Sequence, residues 1–430
     1  MSRILSLRKW RTRAVFWLGA VVVGLAAVGF AKACDWAIGI HARLVAQWPI
    51  LGAFVTPIGI VLIVIATRYL APASRGSGIP QSIAALDLIE PERRSNVISL
   101  RIAISKIGLT VLGLLSGASI GREGPTVHVG ASIMDALGRF ASFPYDYLRR
   151  SLVLAGSAAG LAAAFNTPIA GIVFAVEEMS RSFEERTSGT LITAVVIAGA
   201  VSTGLLGNYA YFGATEASAD ISAVWLGVLV CGLFGGLGGG LFSRSLLVSS
   251  RRLAPLSAKR PIALAFALGL LITALALLSR GATYGTGYEQ ARDLLTGSSH
   301  LGLLFPLMKW LATLASYLTG MPGGIFSPSL ATGAGLGANL APLLPKVPLA
   351  TMIVLGMTGY FTGVTQSPLT GAVIVMEMVN DHALILPLLA TAFIAMGISK
   401  IFCDQPIYQA LAAPFRNSPA PTASPASVVA

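Results

Sequence analysis

Charge is scarce in this chain of 430 residues: Asp, Glu, Lys and Arg together make up 11% of it, where soluble domains carry about 25%. With 55% hydrophobic residues and a mean hydropathy of +0.77, there is too little polar surface for a soluble enzyme, and the bilayer is the solvent that suits the rest. Cysteine is equally sparse. Cys34, Cys231 and Cys403 are odd in number and far apart, which argues against a disulfide framework or a thiolate metal cluster. The four histidines, His41, His128, His300 and His382, stand singly, so no metal-ligand spacing arises, and neither a metal nor a cofactor is expected. A membrane-embedded hydrolase with Glu123 as base would need partners that are missing, since no Ser/His/Asp constellation accompanies it.

The net charge of +12 is not a nucleic-acid footprint, because it is unevenly strung along the chain. Arg3, Arg8, Lys9, Arg11 and Arg13 open the sequence, Arg251, Arg252, Lys259 and Arg260 share one short polar stretch, and residues 187–243 hold no Lys or Arg but include Glu216 and Asp220. That is positive-inside bias: the basic segments are cytoplasmic and 187–243 contains a loop on the other side. The apolar run from Ala14 to Ala31 has a secretory signal as its alternative reading, with Ala31-Lys32-Ala33 as cleavage site. The further apolar spans favour an uncleaved first membrane helix behind a surface-lying basic lead-in. His41 falls between this span and the next.

Apolar stretches run at 14–31, 49–71, 97–120, 125–138, 151–179, 188–212, 223–250, 261–279, 301–320, 325–345, 349–379 and 383–402. They are unequal, and 47 Gly with 23 Pro are scattered through them. The pattern predicts an all-α polytopic membrane protein with interrupted spans, the device that places bare helix ends inside a membrane.

Self-similarity organises the chain. The segment from Gly121 to Ala131 and that from Gly324 to Ala334 both read Gly, three residues, Pro, Ser/Thr, three residues, Gly, Ala, 203 residues apart. Downstream, Asn166-Thr167-Pro168-Ile169-Ala170-Gly171 leads six residues later to Glu177, and Gln366-Ser367-Pro368-Leu369-Thr370-Gly371 leads to Glu377, 200 residues on. Two matched motifs in one order at nearly one offset indicate a duplication. The expected organisation is a basic cytoplasmic segment 1–13, repeats 14–208 and 222–411 joined by a loop 209–221, and a disordered Pro/Ala/Ser tail 412–430 without an appended regulatory domain. The span count leaves open whether the repeats are inverted.

Pro tolerates the first helical position, so Pro125 and Pro328 each read as a helix start, with Gly76-Ser77-Gly78-Ile79-Pro80 as a third. Free N–H groups and aligned peptide dipoles at such ends attract anions, and Ser77 adds a hydroxyl donor. A tight turn is the alternative for any single loop. Glu123 sits where an anion would sit, which makes it a candidate gate and proton carrier; a loop carboxylate paired with Arg122 is the plainer option. Of Glu177 and Glu178, the first is repeated by Glu377 and is expected to be structural, leaving Glu178 as the distinctive acid. Arg181, Glu184, Glu185 and Arg186 follow it toward the cytoplasmic face. Tyr408 reads as an interfacial aromatic, and His128 as a packed helix residue rather than a proton relay.

Gly76-Ser77-Gly78-Ile79-Pro80, Gly121-Arg122-Glu123-Gly124-Pro125 and Gly324-Ile325-Phe326-Ser327-Pro328, in this order, resemble the three signature loops of the CLC chloride channels and transporters. The likeness spans residues 14 to 411. It implies two inverted repeats of tilted, broken helices and a homodimer with one anion pathway per subunit, in a bacterial inner membrane with both termini cytoplasmic. By resemblance, Ser77, Tyr408 and the N–H groups of Ile325 and Phe326 hold chloride, and Glu123 is the outer gate and proton acceptor. Glu178 matches the family's inner proton-transfer glutamate, and Lys106 stands where a basic residue adds positive potential. Ser77 favours chloride, since nitrate-preferring members tend to have Pro there and fluoride members depart from this loop. Gln81-Ser82-Ile83 departs from the acidic residues that exchangers often carry. The implied function is exchange of chloride for protons, with a passive chloride channel of the same fold as the alternative.

Overall fold

The computed structural model describes residues 7–141, 146–180, 185–207, 210–213, 221–298 and 301–417. Arg3, Arg181, Glu184, Glu216, Asp220, His300 and the tail beyond residue 417 lie outside the described residues. The first half folds as α1 (Leu7–Gln47), α2 (Pro49–Leu70), α3 (Ile79–Asp87), α4 (Pro91–Ser95), α5 (Leu100–Leu115), α6 (Glu123–Phe140), α7 (Asp146–Phe165), α8 (Pro168–Phe174) and α9 (Glu185–Leu206). The second continues as α10 (Ile221–Lys259), α11 (Pro261–Leu278), α12 (Tyr288–Leu295), α13 (Phe305–Leu318), α14 (Phe326–Leu340), α15 (Leu349–Thr365), α16 (Pro368–Val379), α17 (Ile385–Phe402) and α18 (Ile407–Arg416). Among the described residues there is no β-strand, only two isolated bridges, both at the centre of the fold.

Eight helical stretches among the described residues are long and apolar enough to cross a bilayer, from Arg13–Gln47 to His382–Phe402. Their outward faces carry residues such as Ile104, Leu278 and Ile401, 70%, 73% and 71% exposed, which water would penalise and lipid accommodates. α15 and α16 are shorter, because the buried Gln366-Ser367-Pro368 junction separates them inside the protein. Such breaks are tolerated only where protein surrounds the freed backbone, and α15 is indeed buried along nearly its whole length.

The halves repeat one another in detail. α6 packs on α7, and α14 on α15, through matched glycines: a Cβ on Gly130 would strike the Gly156 carbonyl, and one on Gly333 the Gly356 carbonyl. The relation between them is a pseudo-two-fold. Gly121 N–H donates to Gly324 O and Gly324 N–H to Gly121 O, both at 2.7 Å, an antiparallel exchange between equivalent residues. Further along, the Glu377 carboxylate accepts from Ile169 N (3.1 Å) and Ala170 N (2.7 Å), while Glu177 accepts from Leu369 N (3.0 Å) and Thr370 N (2.6 Å). Each repeat thus caps the α8 or α16 start of the other, supplying acceptors to N–H groups that helix geometry leaves free.

Three local expectations change. α1 runs without a break through Ala31-Lys32-Ala33 and packs on α5, α6, α7 and α9 as part of the first repeat's core, and His41 lies inside it rather than between spans. Its ring Nδ1 faces Leu115 O at 3.0 Å. α10 extends beyond the apolar stretch 223–250 through the short basic stretch to Lys259, giving one long helix. At the other end α18 continues to Arg416, past the expected start of the tail at 412. Its last turn is held because Arg416 pairs with Asp87 (2.7 Å) and Phe415 lies under the Arg75 guanidinium (5.6 Å).

Candidate functional site

The three Gly-rich loops meet at one point. Gly76 N–H donates to Met321 O (3.1 Å) and Gly323 N–H to Gly76 O (3.1 Å), beside the reciprocal pair of Gly121 and Gly324. Glycine is required where the backbone turns hardest. Gly76 and Gly78 have φ of +66° and +102°, and a Cβ on Gly78 would meet His128 and the Gly124 carbonyl.

The helix starts lie two residues before their prolines in α6 and α14 and one before in α3, not at the prolines themselves. Pro is harmless there because the whole first turn lacks intrahelical acceptors for its N–H groups. In α14 the first intrahelical bond is Ser329 N–H to Ile325 O (3.0 Å), which leaves Ile325, Phe326 and Ser327 N–H at the open positive end. In α6 it is Thr126 N–H to Arg122 O (2.9 Å).

Glu123, fully buried, reaches across the pseudo-two-fold to that open end. Its carboxylate accepts from Ser327 Oγ at 2.5 Å and from Ser327 N at 3.4 Å. Arg122 is not its partner, for the guanidinium points to Asp35 (2.5 Å) and Ala31 O (2.8 Å). Next to it, Ser77 Oγ abuts Gly124, where a Cβ would displace it. Ser77 and Tyr408 are each 1% exposed, and neither hydroxyl has a hydrogen-bond partner among the described residues. Two buried hydroxyl donors without acceptors beside a helix positive end are a chemically sensible cradle for an anion. α18, which carries Tyr408, packs on α3, and Tyr408 lies within electrostatic range of both Glu178 and Glu123.

Lys106, fully buried on α5, donates to Gly76 O (3.1 Å) and so lies directly beneath the Ser77 loop. The Gln81 amide donates to Arg75 O (2.7 Å) and Ala73 O (3.3 Å), so the residue that replaces an expected acid ties down the backbone leading into the loop. His128 bonds Val97 O through Nε2 (2.7 Å) and does not touch Glu123.

On the other side of the anion loops, Glu178 is 2% exposed and hydrogen-bonded to Ser367 Oγ, while its backbone carbonyl accepts from Gln409 Nε2 (3.0 Å). It sits in a π-helical turn, Ala175–Ser180, whereas the matched end of α16 is regular α-helix. A wider turn re-aims the side chains that follow it, and such turns cluster at functional positions.

One repeated element is too short to stand out in the sequence. Gly285-Thr286-Gly287, ahead of α12, copies Gly76-Ser77-Gly78 with φ of +65° and +83° at its glycines. Lys309, 203 residues after Lys106, is likewise fully buried and donates to Gly285 O (2.8 Å) and Thr283 O (3.0 Å). This second loop lines a cavity of about 1240 Å³ shared with Asp35, His41, Tyr211, Tyr288 and Arg122, the residue next to Glu123. The common Gly-x-Gly and the lysine offset are the signals that find it.

The family model for voltage gated chloride channels matches residues 58–400. The chain is 35% identical over 355 residues to the H(+)/Cl(-) exchange transporter ClcA of Vibrio vulnificus, a match covering 79% of this chain and 74% of that protein. To ClcA of Citrobacter koseri it is 31% identical over 427 residues, covering 91% and 86%. Among solved structures, a slow cyanobacterial Cl-/H+ antiporter matches with a TM-score of 0.82 at 27% identity, over 94% of this chain and 97% of that one.

Proposed function

The chain belongs to the voltage-gated chloride channel family, the CLC proteins, and we propose that it is a secondary active antiporter exchanging chloride for protons across the membrane. The single observation that carries this reading is the seat of Glu123, whose carboxylate lies on the positive end of α14 in the place of an anion. Carboxylate and chloride compete for the same N–H groups. Protonation removes the charge that holds Glu123 there, the side chain leaves, and chloride enters between Ser77, Tyr408 and the Ile325 and Phe326 N–H groups. Lys106 beneath the loop adds a positive charge that low dielectric makes effective at short range. Each proton bound at Glu123 is thereby coupled to chloride movement.

Glu178 is the inner proton station, near the anion site yet outside it, and this separates the proton's inner route from that of chloride. The relatives are exchange transporters, which favours exchange over a passive channel. The same reading places the protein in a bacterial inner membrane as a homodimer with one pathway per subunit and both termini in the cytoplasm; cross-linking of detergent-solubilised protein to a two-subunit limit checks the assembly.

The test is Glu123→Gln in liposomes. Proton movement is expected to vanish while chloride continues or slows, and proton transport still coupled to chloride in that variant would remove Glu123 from the gate. Glu178→Gln is expected to stop protons and leave chloride flux.

A further inference from the structure

Beside Glu178 a cleft of about 630 Å³ opens to the surface, lined by Glu177, Gln366, Ser367, Lys400 and Asp404 among others. It lies at the end of the molecule where Arg244 and Arg251 come within electrostatic range of Cys403, the basic end that charge bias assigns to the cytoplasm. Glu178 is not in the wall of this cleft. Ser367 is, and its hydroxyl is also hydrogen-bonded to Glu178 Oε2. Of the two carboxylates in the wall, Asp404 is exposed and Glu177 has both oxygens committed to Leu369 N and Thr370 N.

We propose that Ser367 is the proton relay between cleft water and Glu178. A serine hydroxyl is both donor and acceptor, which a relay requires. Inward, Ser367 Oγ accepts a proton from a hydronium ion in the cleft as its own hydrogen passes to the Glu178 carboxylate; one O–H bond forms on Oγ, one breaks, and a water molecule and a neutral Glu178 result. Rotation of the hydroxyl resets it, and the reverse sequence discharges Glu178. The side chain is held in place by its backbone: Ser367 is the N-cap of α16, and its carbonyl accepts from Gly371 N (2.9 Å).

The duplication supplies an internal comparison. The residues equivalent to Ser367 and Glu178 in the opposite repeats are Thr167 and Met378. Thr167 is fully buried and its hydroxyl has no hydrogen-bond partner among the described residues. The scaffold offers a hydroxyl at both junctions, and only one meets an acid.

The inference rests on Glu178 being the inner proton station, and the experiment separates the two. Chloride and proton fluxes are recorded together for the full-length protein in liposomes as wild type, Ser367→Ala, Ser367→Thr and Glu178→Gln. Ser367→Ala is expected to cut proton flux by roughly tenfold or more, the scale of a lost positioned proton-transfer group, with chloride flux retained and the ratio of chloride to proton raised. Ser367→Thr keeps the hydroxyl and is expected to keep the wild-type ratio. A wild-type ratio in Ser367→Ala, with Glu178→Gln uncoupled, overturns the relay alone; coupled transport in Glu178→Gln overturns the station on which it rests. Should Ser367→Ala not fold, as judged by lost chloride flux, Ser367→Val replaces it, again without a transferable proton, with a raised ratio supporting the relay and a wild-type ratio contradicting it.

Discussion

The two repeats share a backbone and differ in chemistry. Where they agree, the residues build: Gly121 with Gly324, Gly130 with Gly333, Glu177 with Glu377, Lys106 with Lys309. Where they disagree, the proposed working residues appear. Glu123 stands opposite Phe326 and Glu178 opposite Met378. Phe326 packs on Phe361 and Phe165, with ring centroids 4.3 and 5.3 Å apart, so the same helix start holds a buried acid in one repeat and an aromatic cluster in the other. A duplicated membrane scaffold gives two helix ends near the centre, and the proposed gate is the one-sided acid that lies between them. Buried acids in a membrane are costly, and the fully buried Glu123 and the nearly buried Glu178 both belong to the first repeat, whereas a buried lysine stands in each.

That contrast can be broken deliberately. The largest effect is expected from Glu178→Met, which imposes the second repeat's residue on the first: proton transport falls to background while chloride flux and folding persist, as read by paired flux and melting measurements. Symmetric capping gives the next. Glu377→Ala removes two charge-assisted bonds and is expected to lower stability by about 1–3 kcal/mol, with Glu177→Ala costing a similar amount, both read as melting shifts in detergent. A large shift in one and none in the other would contradict the reciprocal arrangement. A smaller change tests the anion side: Ser77→Pro withdraws a hydroxyl donor worth about 1.5–3 kcal/mol to a charged acceptor and is expected to shift preference from chloride toward nitrate in anion competition. Unchanged selectivity would place the ion elsewhere. The smallest is Lys309→Met, which removes the donor to Thr283 O and Gly285 O and is expected to slow chloride flux while leaving the chloride-to-proton ratio as it is.

Much of this is legible in the sequence, for identifiable reasons. Gly-Pro helix starts and a fixed offset survive as motifs because close backbone approach tolerates few residues. Glu123 stands out because an acid between glycines in an apolar run is conspicuous. The third repeated loop is hidden because Glu289 replaces Pro80, leaving only Gly-x-Gly. Tyr408 reads as interfacial, since nothing local shows that α18 folds back against α3 and buries it. Ser367 and Glu178 lie 189 residues apart, and only the crossing of the repeats brings them together. Helix ends slip by one or two residues because the first turn accepts proline anywhere that N–H groups are free.

Exchange itself is the central claim, and purified wild-type protein in liposomes tests it most directly. Vesicles loaded with high chloride are placed in low chloride while external pH and chloride are followed together. Chloride leaving down its gradient is predicted to drive protons inward against theirs, so external pH rises. Chloride efflux with no proton movement would contradict the account and make the protein a passive pathway.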